Sequence, residues 1–520
     1  MRPWQLIGTF ALSAAALVSA APVGAQNVSA AVKQDTSPPL SSIPAPPAKA
    51  QAAFIKEHRV KRLPPLPTKE AAVADTAVQK AATVKLPIGT IDTIEGIGAG
   101  LPNFSVNSFP ADTTGAAGTT QYVQWVNTSL AVFDKNTKQA VLGPVDGSII
   151  WKGFGGNCEN FNDGDPIALF DRIDNRWILS QFAVDGTPFS QCIAVSTGAD
   201  ATGSYHRYEF QYQNFNDYGK LGIWPDAYYA TYNMFGANDA FLGAQTCAFE
   251  RAKMLAGQPA RMVCFDVPSQ GGLLPSDLDG TTPPAAGTPN YVMNFGSDRL
   301  NLWKFKVDWN NPAASSLTGP TKIKTAPFDE ACNTAASPGT CIPQPKTTVA
   351  LDSLGDRLMY RLAYRKLADH ESLVVNHSVA AGTGTGVRWY EVRDPGGTPK
   401  IQQQGTYTPT KTSRWMGSVA MDKLGNVALG YTVSSKSVYP SIRLAGRSAN
   451  DPLNQLSTET SVTDAKGKGS QKKFTRWGDY STITVDPADD CSFWYTAQYQ
   501  KDNTNAWHTK ILHFKFKSCQ

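Results

Sequence analysis

Six aspartates stand in short polar loops where carboxylate chemistry could be done. Asp112 lies in PADTTG (110–115), Asp163 and Asp165 in NFNDGDP (160–166), Asp217 in NFNDYGK (214–220), Asp277 in LLPSDLDG (273–280) and Asp479 in TRWGDY (475–480). Two carboxyl groups facing each other across a cleft can serve as acid and base, and their separation sets the outcome of glycosidic cleavage. Two loops are also cationic and aromatic: SRWMGS (413–418) brings Arg414 and Trp415, and TRWGDY brings Arg476 and Trp477. Guanidinium groups grip carboxylates, sulfates or phosphates in bidentate fashion, and indole rings stack on sugar faces. Arg361, in SLGDRLMYRLAYR (353–365), is a further ligand-binding candidate. The same residue types brace turns and neighbouring strands, so the loops must first be brought together.

Other chemistries find less support. NDGD (162–165) sets oxygen side chains around a glycine, which makes Asp163 and Asp165 the candidate ligands of a Ca2+ ion. The closing Glu of a twelve-residue calcium loop is missing. His370 and Glu371 lack the second histidine of a zinc-protease helix, because Val374 holds that place. Neither a G-x-S-x-G elbow nor a phosphate-cradling glycine loop occurs, so serine catalysis and nucleotide chemistry lack a local motif.

The elements that must position these loops recur along the chain. VAMDKLGNVALGY (419–431) reads as a strand ending in Asp, a turn with Gly425 and Asn426, and a returning strand. ITVDPADDCSFWYT (483–496), VALDSLGDRLMYRLAY (349–364) and IALFDRIDNRWILSQF (167–182) follow the same plan, and GIWPDAYYATYNMF (222–235) is a shortened version. PNYVMNF (289–295) and GTTQYVQWVN (118–127) are weaker copies. Asp bonds its own backbone and Gly or Asn accepts positive φ, which is what a tight hairpin requires. About seven such units, each too small to bury both faces alone, predict an all-β fold: a seven-bladed β-propeller, closed into a ring and stapled by disulfides. A pair of β-sandwiches is the rival architecture. In a propeller the loops entering the innermost strands meet at one end of the central channel. The segments at 110–115, 160–166, 214–220, 273–280, 341–345, 413–418 and 475–480 are predicted to form that mouth.

The chain of 520 residues divides into residues 1–25, a signal peptide, 26–100, a flexible Pro/Ala-rich leader, and 101–520, the propeller. Arg2, an apolar run from Leu6 to Val18 and small residues at Ala20 or Ala25 make the start a cleavable secretion signal. No later stretch is long and apolar enough to span a membrane. The eight cysteines, Cys158, Cys192, Cys247, Cys264, Cys332, Cys341, Cys491 and Cys519, suit an oxidising compartment, and pairing in sequence order is the simplest proposal. They show no CxxC spacing. A formal net charge of +5, spread along the chain, makes no case for nucleic acid. The expected setting is secreted or periplasmic, and the expected state a monomer.

The motifs RWGDYSTITVDPADDCSFWYT, GDPIALFDRIDNRWILSQFA, SLGDRLMYRLAYR and RWMGSVAMDKLGNVALGY resemble a widespread, largely uncharacterised family of secreted bacterial β-propeller-like proteins. The resemblance runs from about Asp112 to Cys519 and implies a secreted propeller without assigning a reaction. Three functions then compete. The leading one binds an extracellular polymer or small polar ligand, a glycan or anionic polymer, through Arg414, Trp415, Arg476, Trp477, Asp479 and Arg361. The second is a polysaccharide hydrolase or lyase using the mouth aspartates. The third is a structural or adhesive surface protein.

Overall fold

The computed structural model describes residues 24–44, 56–58, 61–67, 74–79, 84–102, 104–334, 337–503 and 506–519. The segment read as a signal peptide, residues 1–25, therefore falls almost wholly outside the described residues.

Short β-branched and aromatic runs separated by Asp, Gly and Asn turns form seven antiparallel four-stranded units in chain order. Their first strands are Thr113–Ala117, Ile167–Asp171, Phe215–Ile223, Leu274–Asp279, Met359–Lys366, Ser413–Met421 and Thr482–Val485. These strands are buried on both faces, and each touches the next. Ala168 N donates to Thr114 Oγ1 (3.3 Å), Tyr228 Oη to Asp171 (3.0 Å), and Ile223 N to Asp277 (2.9 Å). Ser276–Asp279 pairs in parallel with Leu362–Arg365, fusing the fourth and fifth units into one sheet. Ser418 Oγ then bonds Tyr360 O (2.9 Å) and accepts from Ile483 N (3.1 Å). Thr482 Oγ1 reaches Thr113 O (3.4 Å), joining the seventh unit to the first. The arrangement is all-β and propeller-like, with the largest hydrophobic core between the units.

The expected hairpins at 167–182, 222–235, 419–431 and 483–496 all form. The expected hairpin at 349–364 does not form, because Leu351–Asp352 pairs with Thr340–Ile342 instead, and three further expectations shift. PNYVMNF is the second strand of the fourth unit, and LLPSDLDG, expected as a loop, is its first. The fifth unit is entered through Ser353–Leu358, not through CIPQP. There the chain turns at Leu354 with φ 46°.

The cysteines pair in sequence order: 158–192, 247–264, 332–341 and 491–519. Cys247 and Cys264 are directly opposed on adjacent strands of the third unit. Four disulfides fit an extracellular or periplasmic protein. Among the described residues no helix is long and apolar enough to cross a membrane.

The leader read as flexible behaves otherwise where it is described. Gln26–Ala30 adds a fifth strand to the third unit beside Arg261–Val267, and Lys33–Thr36 does the same to the second beside Tyr205–Tyr212. Val78–Gln79 pairs with the fifth unit and Lys85 with Thr458 of the sixth. Asp92–Glu95 becomes the outermost strand of the seventh, beside His508–Lys515. The cause is the outer edges of the units: their unpaired N–H and C=O groups need partners, and an extended Pro/Ala-rich chain supplies them. Pro/Ala composition suggests a linker, but it does not reveal available edges.

Candidate functional site

At the heads of the first strands lies one cavity of about 200 Å³. Asp112, Asp163, Asp165, Asp217 and Asp479 line it, with Asn127, Arg357 and Arg476 and the rings of Phe182, Phe215 and Tyr218. The backbone puts them there by a repeated device. Asp112, Asp165, Tyr218, Met416 and Asp479 all adopt left-handed φ, between 45° and 57°, at the heads of their strands. Asp tolerates this conformation better than most residues; Tyr and Met do so only under tertiary constraint. In the third and sixth units the residue falls in a register shift, between Asp217 and Lys220 and between Trp415 and Ser418. Gly164 (φ 100°) precedes Asp165, and a Cβ there would lie 2.8 Å from Asn127 Oδ1, so the loop closes onto the amide only with glycine.

Every cation of the lining is already committed to a carboxylate. Arg476 Nη2 pairs with Asp479, while Arg476 Nη1 donates to His58 O at 2.6 Å. Arg357 is paired with Asp356 (Nε to Oδ1, 2.8 Å). Lys61 Nζ pairs with Asp239 and lies 4.7 Å from the Phe215 ring centroid. Lys220 Nζ is buried beneath the cavity, 3.7 Å and 4.0 Å from the ring centroids of Tyr218 and Tyr480. Burial holds its ammonium below the usual lysine range, opposed by the nearby Asp165, Asp112, Asp479 and Asp217.

The carboxyls are pushed the other way. Burial, with Asp479 and Asp165 adding repulsion, raises Asp112 well above the carboxylate range. Burial raises Asp165 too, against the pull of Lys220. Burial and Asp165 lift Asp217 to about 7. Asp163 is raised by burial although it accepts N–H bonds from Val184 (2.6 Å) and Asp185 (3.0 Å). Asp112 Oδ2 accepts from Asn127 Nδ2 at 2.6 Å. Asp112 Oδ1 and Asn127 Oδ1, both buried, find no hydrogen-bond partner among the described residues.

Asp112, Asp163, Asp165, Asp217, Asp479 and Arg476 are thus brought together as expected from sequence. Five other candidates are not. Arg414 is sealed against Glu459, Nε and Nη2 each 2.9 Å from a carboxylate oxygen. Trp415 and Trp477 are buried against each other with centroids 5.9 Å apart, so neither offers a face to a sugar. Arg361 and Asp277 lie beyond the cavity: Arg361 Nε donates to Asp277 (2.5 Å) and Nη2 to Asp279 (2.9 Å). Arg172, Arg365 and Asp490 complete this cluster at the tails of the first strands, where Arg365 grips Asp490 at 2.8 and 2.9 Å. Arg361 and Asp277 tie the fifth unit to the fourth, whereas Arg414 is paired within the sixth. The calcium reading of Asp163 and Asp165 meets a similar obstacle: backbone amides cap Asp163, and no three His, Cys, Asp or Glu among the described residues are gathered as a metal site would need.

Sequence reasoning missed Asn127, Phe182, Phe215, Tyr218, Lys220 and Arg357. Of these, Tyr218 and Lys220 stood inside the recognised NFNDYGK loop, whereas Phe182 lies at the far end of a hairpin. It also missed a strap. Glu57 accepts from Thr475 N (2.7 Å) and Arg476 N (2.9 Å). Arg62 pairs with Asp352. Lys61 O accepts from Arg357 (3.1 Å) and Leu63 N donates to Asp356 (3.1 Å). His58 and Lys61 thereby become part of the cavity wall.

No family model and no curated protein matches the sequence. Among solved structures, a protein of unknown function from Dyadobacter fermentans is 10% identical, covering 85% of this chain and 100% of its own, at a TM-score of 0.33. The WD40 domain of SCAP from fission yeast is 9% identical over 83% of this chain and 96% of its own, at 0.30. Trypanosoma rangeli sialidase is 9% identical over 68% of this chain and 54% of its own, also at 0.30. Likenesses this remote leave the activity to be argued from the molecule itself.

Proposed function

We propose that the chain is a secreted, seven-bladed, closed-ring propeller that binds sugar units of an extracellular glycan at the mouth described above. The observation that carries this reading is the convergence of Asp112, Asp163, Asp165, Asp217 and Asp479 with Phe182, Phe215 and Tyr218 on one cavity. Sugar hydroxyls are donors that buried carboxylates and the Asn127 oxygen can accept, while aromatic faces pack on ring C–H groups. At about 200 Å³ the cavity is smaller than the roughly 300–1,000 Å³ of drug-sized pockets, so a single sugar unit matches it better than a long oligomer. An anionic ligand is disfavoured, because the guanidinium groups that would grip it are already paired. The test is titration calorimetry with a panel of oligosaccharides on wild type and the D165N/D479N double variant. The double variant should lose at least about tenfold in affinity, roughly 1.4 kcal/mol, with its fold preserved by circular dichroism. Equal affinity would remove the proposal.

A second reading, hydrolysis at the same mouth, is favoured by Asp217, whose carboxyl at about 7 suits a general acid near neutral pH. Asp479, paired with Arg476, would stand as the charged partner. Release of reducing ends from one member of the panel, abolished by D217N, supports it. No release from any member rejects it.

A further inference from the structure

The charge of the ligand can be read from what the mouth leaves unpaired. Arg476, Arg357 and Lys61 are each matched to a carboxylate outside the trio Asp112, Asp165 and Asp217. Against that trio stand Lys220, beneath the cavity, and the fields of Arg476 and Arg357, whose own ion pairs lie elsewhere. Asp163 has its amide donors from Val184 and Asp185. Among the described residues the buried polar atoms of the mouth's lining without a hydrogen-bond partner are two acceptors, Asp112 Oδ1 and Asn127 Oδ1, on residues 4% and 2% exposed, and one donor, Nε of Arg476, whose charge is already paired with Asp479. The Asn127 amide is oriented by its donors, which go to Asp112 Oδ2 and to Pro110 O (3.1 Å), so its oxygen is the free end. The rings of the mouth already hold ammonium groups: Lys61 lies over Phe215, and Lys220 lies between Tyr218 and Tyr480.

We propose that the mouth selects a protonated amine, as carried by a de-N-acetylated amino sugar, with Asp112 and Asp165 as its counter-charges, Asn127 Oδ1 as a hydrogen-bond acceptor and Phe182 as its aromatic face. This rests on the glycan-binding reading and narrows it. A buried carboxylate facing an incoming ammonium gains an ion pair that a neutral hydroxyl cannot supply. An aromatic face adds cation–π attraction. Because burial disfavours the charged carboxylates in the empty site, binding of an amine draws them into the ionised state and releases protons.

The experiment compares glucosamine oligomers, N-acetylglucosamine oligomers, glucose oligomers and glucuronate oligomers by calorimetry at about pH 7, in two buffers of different ionisation enthalpy. The glucosamine series should bind about tenfold or more tightly than the glucose series, with proton release seen as a buffer-dependent heat. D112N and D165N should each erase that preference, and thermal melting establishes that each variant is folded. Glucosamine no tighter than glucose overturns the amine while leaving glycan binding standing. Binding of none of the series defeats both readings. Preference for glucuronate, or stoichiometric Ca2+ binding abolished by D112N without amine preference, overturns the amine in favour of an anion or a metal ion.

Discussion

Asp217 shows how a single side chain couples this site to stability. Its carboxyl ionises near 3.8 in an unfolded chain and near 7 in the fold, because burial and Asp165 both oppose its charge. Between those values the folded protein holds a proton that the unfolded chain has released, so stability falls as pH rises and the full cost is in place above about 7. Asp112 and Asp165, raised in the same direction, titrate with it as a cluster. D217N should therefore flatten the denaturation midpoint between about pH 4 and 7. At about pH 8 it should stand above wild type by on the order of 3 kcal/mol. Chemical denaturation across pH checks this, and a variant less stable at high pH would contradict it. Arg361 presents the opposite case. Its guanidinium is matched to Asp277 and Asp279 with almost no exposure, so R361A strips buried Asp277 of its counter-charge and leaves Asp279 with Arg172. A loss of about 3–5 kcal/mol in urea unfolding is expected.

Strands added from the leader decide behaviour at the scale of elements. Gln26–Ala30 and Lys33–Thr36 cover the outer edges of the third and second units. Deleting residues 24–36 should speed amide exchange in Arg261–Val267 and Tyr205–Tyr212, leave the first strands protected, and raise the tendency to self-associate through the bared edges. Exchange unchanged in those two strands would mean the leader contributes nothing to them. The strap residues 57–58 and 61–63 act on the site instead. The Glu57 and Arg62 contacts pull His58 and Lys61 into the cavity wall. E57Q/R62A should open the mouth, so that affinity for tetrasaccharides rises relative to monosaccharides. Titration of both lengths measures the change.

For the whole molecule, the seventh unit is built from both ends of the described chain: Asp92–Glu95 pairs outside His508–Lys515, and Cys491–Cys519 locks the turn of that unit to the terminal segment. Joining early and late chain in one sheet makes the integrity of the seventh unit depend on a long-range contact, which is costly to form and cooperative once made. Replacing both cysteines with alanine should cost about 3 kcal/mol in denaturant unfolding. Loss of cooperativity along with stability would make that unit part of the molecule's cooperative core.

Much of this architecture was legible in the residues. Asp-x-x-Gly/Asn turns between β-branched runs specify hairpins locally, and repetition of units with unburied faces requires them to stack. Cysteines on consecutive strands pair with their neighbours, and aspartates at the heads of first strands meet at one rim because the loops carrying them are equivalent. What tertiary structure alone decided is which polar groups are spent on cohesion. Arg414 and Arg476 occupy similar motifs, yet Arg414 meets Glu459 in a sealed pair while Arg476 borders the cavity. The partner that consumes a guanidinium lies 45 residues away in one case and three in the other. Local pattern cannot carry that distinction, because burial and pairing depend on which distant chain segments share the space.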